Sequence, residues 1–63
     1  MQRLTPVEGA YDEGFRYARA YAHQGVAPVY VLAYLRELAI DSQASDGILA
    51  ASTRGAIDGL AAP

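Results

Sequence analysis

The sequence predicts an all-α fold, a three-helix bundle or a helical hairpin with a short third helix, and three observations carry that prediction. Apolar residues recur at helical spacing along three segments, capping residues delimit those segments at about residues 6–24, 28–40 and 46–61, and no stretch alternates with period two long enough to make a strand. Residues 1–63 read as one small helical domain.

The first helix begins at Thr5-Pro6-Val7-Glu8. This is a capping box: the Thr5 hydroxyl and the Glu8 carboxylate can satisfy N–H groups that lack an intrahelical partner, and Pro6 occupies the first helical position, where its missing donor costs nothing. Val7, Ala10, Tyr11, Gly14, Phe15, Ala18, Tyr21 and Ala22 then follow one face, with Glu8, Asp12, Arg16, Arg19 and His23 opposite. Gly25 suits the left-handed position that ends a helix.

Pro28 restarts the chain as the first residue of a second helix, whose buried stripe is expected to be Val31, Leu35 and Leu38. Asp41 to Asp46 is a polar loop, and Ser45 is placed to cap a third helix with Leu49, Thr53, Ala56, Ile57 and Leu60 on one side. Gly47, Gly55 and Gly59 weigh against that helix, since an interior glycine costs up to roughly 1 kcal/mol relative to alanine.

Two ridges of small residues stand out. Ala10, Gly14, Ala18 and Ala22 fall every fourth residue on the first helix, and Gly47, Ala51, Gly55 and Gly59 do so on the third. Such ridges let another backbone approach closely. Alanine is also the best helix former, so composition alone accounts for the first ridge; it does not account for the glycines of the second. Beside the first ridge stand Tyr17 and Tyr21 on one side, Tyr11 and Phe15 on the other, so the helix presents a trough with aromatic walls that fits another helix.

The second helix is apolar on two sides. Opposite its core stripe lie Val29, Tyr30, Ala33 and Ile40, interrupted only by Arg36 and Glu37. A helix hydrophobic nearly all round is normally central, and a 63-residue chain offers few neighbours to cover it. Scattered surface aliphatics are ordinary. Tyrosines one turn apart, Tyr30 and Tyr34, nevertheless favour an interface, where an apolar ring and a wet hydroxyl are both useful. The residues expected to meet a partner are Val29, Tyr30, Ala33 and Tyr34, with Tyr17 and Phe15 beside the trough.

Composition narrows the function. Hydrophobic residues make up 52% of the chain and charged ones 19%, too apolar for a typical disordered tail. Five basic residues, all arginine, against seven acidic ones leave no surplus charge for phosphates. With no cysteine, disulfides are excluded and metal binding is disfavoured. The longest apolar run, residues 26–35, contains Pro28 and is about half a bilayer span. Arg3 is followed by no apolar segment of a leader, so a cytoplasmic protein is expected.

Chemistry-bearing patterns are sparse. His23, the only histidine, falls on the polar face near a helix end, where it complements the macrodipole more readily than it serves as a base. No metal-ligand spacing, phosphate loop or nucleophile elbow is recognisable, so neither cofactor nor small-molecule substrate is expected. Arg16, Arg19 and His23 make a small basic patch, partly neutralised by Asp12 and Glu13. Residues 20–34 have the outline of a helix-turn-helix, with Gly25 in the turn and Val31 six positions on. Tyr21 stands where that pattern wants a small residue, and Val29, Tyr30 and Ala33 offer no base-reading group.

The sequence thus predicts a non-enzymatic helical interaction protein, regulatory, inhibitory or adaptor in kind, with another protein or a second copy as partner, most readily as a homodimer. Its small size also fits a phage-type accessory factor. The alternatives are a helix-turn-helix DNA-binding dimer and a structural component of a larger assembly.

Overall fold

The structure, a computed structural model, describes residues 4–62 and is all-α: three helices, with no strand among the described residues. They are α1 (Pro6–His23), α2 (Pro28–Asp41) and α3 (Asp46–Ala61). The Cα positions span 31 × 28 × 14 Å, a slab two helices deep.

Local chemistry sets each boundary. Thr5 caps α1 by accepting from the Glu8 N–H at 3.1 Å, and its hydroxyl donates to the Glu8 carboxylate at 2.9 Å, so that carboxylate is taken up by the hydroxyl and not by the backbone N–H expected of a capping box. At the other end Gly25 takes φ +84°, its N–H donates to the Ala22 carbonyl and the Val26 N–H donates to that of Tyr21. This crossed pair of bonds is a Schellman motif. A second one closes α2, where Gln43 N–H donates to Ile40 and Ala44 N–H to Ala39. Here the left-handed position belongs to Gln43 (φ 56°), a residue that pays for its Cβ in that conformation. Ser45 then accepts from the Ile48 N–H and starts α3.

Packing is dominated by α1 against α3. Gly14 meets Ser52, Ala18 meets Gly59, and Arg19 donates to the Ala62 carbonyl at 2.8 Å, so contacts advance together along both helices and the two run in the same direction. A Cβ added at Gly14 would strike the Ser52 carbonyl, one at Gly55 the Tyr11 carbonyl, and one at Gly59 would sit 2.7 Å from the Phe15 carbonyl. Backbone faces backbone at all three places. Two of the glycines that weigh against α3 as an isolated helix, Gly55 and Gly59, are therefore what allows it to dock on α1.

Two ridge positions do not take part. Ala22 is exposed, and a Cβ at Gly47 would have nothing within 4 Å. Gly47 lies at the opening of α3, beyond the region where the helices approach.

The core is correspondingly small. Ala18, Val31, Leu35 and Ala56 are its buried apolar residues, with Tyr21, Leu32 and Leu60 packed partly against them. Leu38, expected in the α2 stripe, is 41% exposed, and Ile57, expected on the inner face of α3, is 46% exposed. Docking through glycine turns the small side of α3 inward, which rotates Ile57 out, and α2 covers the pair with Val31 and Leu35, Leu32 packing partly beside them.

Candidate protein-interaction face

The two regions expected to meet a partner have different fates. The α1 trough is filled from within the chain, because Gly55 and Gly59 of α3 lie against the Tyr11 and Phe15 backbone. Phe15 is half-buried beside Tyr11, their rings 6.5 Å apart and stacked, while Tyr17 remains exposed on the opposite wall. A partner helix cannot enter that trough. Phe15 is part of the internal seam.

The outer face of α2 is open. Val29 is 67% and Tyr30 69% exposed, and Ala33 and Ile40 are exposed on the same side. The helical repeat places Val29, Tyr30, Ala33, Arg36, Glu37 and Ile40 in one stripe about three turns long. Pro28 begins the stripe and fixes its backbone, so the face is held rigidly by a helix whose other side carries Val31 and Leu35 into the core. Tyr34 belongs to a different flank: its ring packs edge-on against Tyr21 at 5.5 Å, tying α2 to α1. Hydrogen bonding with the Tyr34 hydroxyl, ahead of desolvation, pushes the Tyr21 hydroxyl above its ordinary pKa.

A groove of about 340 Å³ lies on the same flank, between Glu13 and Tyr17 of α1, Leu38 of α2 and Ile48 of α3. It is open because α1 and α2 touch far less than α1 and α3 do. Sequence reasoning missed Leu38 as a surface residue there, although the nearly uniform apolarity of α2 was the available signal.

Polar interactions sit at the edges of the molecule. The Tyr11 hydroxyl donates to Asp58, linking α1 to α3, and this bond, ahead of partial burial, raises the Tyr11 pKa above its ordinary value. Arg16 pairs with Asp12 at 3.0 Å, and Arg19 is engaged with the Ala62 carbonyl. The expected basic patch is thereby divided, leaving His23 exposed in the last turn of α1. Among the described residues no three histidine or acidic side chains gather where they could hold a metal ion, and no helix is long and apolar enough to cross a membrane.

No protein-family model, curated protein or solved structure matches the chain.

Proposed function

We propose that this chain is a non-enzymatic interaction protein, regulatory, inhibitory or adaptor in kind, that acts by burying the outer face of α2 against another protein surface. The observation that carries this reading is the exposure of Val29 and Tyr30 on a rigid helix, beside a core in which Val31 is the largest fully buried side chain. Covering such residues removes apolar area from water, at about 25 cal/mol per Å², and tyrosine is a preferred anchor at interfaces. A cytoplasmic setting accompanies the proposal.

Protein is favoured over duplex DNA as partner because residues 28–35, the first two turns of α2, contain no arginine, lysine, asparagine or glutamine to reach a base edge. Binding to duplex DNA that weakens steeply with salt would reverse that preference.

The test is site-specific photocrosslinking in the source cells, with a photoreactive residue at Tyr30 and, as control, at Arg16 on the outer side of α1. A discrete protein adduct from position 30 and none from position 16 is the expected result. Equal, diffuse labelling from both positions would overturn the proposal.

A further inference from the structure

We propose that the groove between α1 and α2 is a binding site for an amphipathic organic cation, an ammonium group carried on an apolar body. The groove measures about 340 Å³, which is within the range of small-molecule sites, and its walls come from all three helices. No local sequence pattern announces it for that reason.

The lining supplies the apolar half of the site. Leu35 is buried, Ala39 and Ile48 are half-buried, and Leu38 borders the groove with 41% of its surface exposed, apolar area that an occupant covers.

Charge selects the ligand. Among the described residues Glu13 is the one charged side chain in the lining, and no basic group lies within ion-pair distance of it. Arg16, one turn on, is held instead by Asp12 at 3.0 Å. Tyr17 stands four residues along the same ridge, so a carboxylate and an aromatic ring share the exposed rim, and both attract an alkylammonium. The end of α2 adds to the negative field. Leu38, Ala39 and Ser42 of its closing turn line the groove, and no basic residue there offsets the partial negative charge of a helix C-terminus. The opening end of α3, of opposite sign, is answered by its own Asp46. A carboxylate ligand meets like charge in this groove, and a neutral one leaves Glu13 desolvated without a partner.

The test is a titration of the isotope-labelled full chain, followed by its amide resonances, with three probes that share a phenyl ring and differ in charge: phenethylammonium, phenethyl alcohol and hydrocinnamate. The cation should shift Ala39, Ser42, Ile48 and Ser52 and saturate in the low-millimolar range, as suits a ligand of about nine heavy atoms. Glu13→Gln, which keeps the shape and removes the charge, should weaken the cation about fivefold and leave the alcohol unchanged. Ala39→Phe, which fills the groove, should abolish the shifts while helical circular dichroism is retained; should that variant fail to fold, Glu13→Gln decides alone. A cation that binds no more tightly than the alcohol or the carboxylate, or equally to Glu13→Gln and the wild type, overturns the inference. So does the absence of shifts at millimolar concentration, or binding that survives in folded Ala39→Phe. A helical peptide of lysine and leucine that shifts these resonances where phenethylammonium does not puts a protein segment in the groove and also overturns it. None of these results bears on the α2 face, because Val29 and Tyr30 lie outside the groove.

Discussion

Between α1 and α3 the backbones meet through Gly14, Gly55 and Gly59, whereas α2 holds Val29, Tyr30 and Ile40 out in solvent. The seam gains its closeness from the absence of side chains. For the same reason it covers little apolar area, and of the four residues in the buried core two are alanines. The face has the opposite character: large side chains, ample apolar area and nothing among the described residues to cover it. A small helical protein can therefore be tightly joined along one line and still lack the burial that stabilises a typical domain. Its shortage of core and its exposed apolar face are two consequences of one arrangement.

The sharpest break of this comparison is a single methyl group placed on either side of it. Gly55→Ala should destabilise the fold by at least about 3 kcal/mol, because the colliding atoms belong to the Tyr11 backbone and cannot rotate away. Gly9→Ala, in the same helix type but with open space around its Cβ, should stabilise by up to about 1 kcal/mol. Urea unfolding followed by circular dichroism reads both. Equal effects at the two sites would mean that the seam is not close-packed.

The next largest contrast lies within α2. Leu35→Ala removes a buried side chain and should cost about 2–4 kcal/mol, while Leu38→Ala, on the exposed flank, should cost less than about 1 kcal/mol. Smaller still is the effect at the turn between α2 and α3. Gln43→Gly relieves a left-handed residue and should add roughly 0.5–1 kcal/mol in thermal unfolding, provided the second Schellman motif is retained.

The mildest expectation concerns pH. The Tyr11 pKa is raised in the folded state by the bond it donates to Asp58, so that contribution is fully present below the unfolded tyrosine value near 10 and is lost as pH climbs through the higher folded value. Stability should accordingly sag above pH 10, and Tyr11→Phe should flatten that part of the profile.

Much of this architecture is legible in the residues. Thr5, Gly25 and Ser45 announce helix ends by chemistry that acts within a few residues, and all three end their helices there, although Glu8 meets the Thr5 hydroxyl and not the backbone. The four-residue spacing of small residues likewise places Gly14, Gly55 and Gly59 on ridges. What occupies a face is another matter. The pattern that marks the α1 trough is the same whether α3 or a partner fills it, since periodicity records which side is apolar and not which neighbour arrives. Ile57 lies outward for a related reason: helical spacing puts it on an apolar side, but the rotation of α3 about its axis is fixed by the glycine contact. The left-handed turn at Gln43 carries no glycine or asparagine signal at all.

The central claim is that α3 closes the α1 trough within the chain, so that the outer face of α2 is the one left open to a partner. It is tested most directly by photocrosslinking with the reactive residue at Tyr30 or at Phe15. A discrete adduct to another protein from position 30 and none from position 15 is the predicted result. An adduct from position 15, or none from position 30, would contradict it.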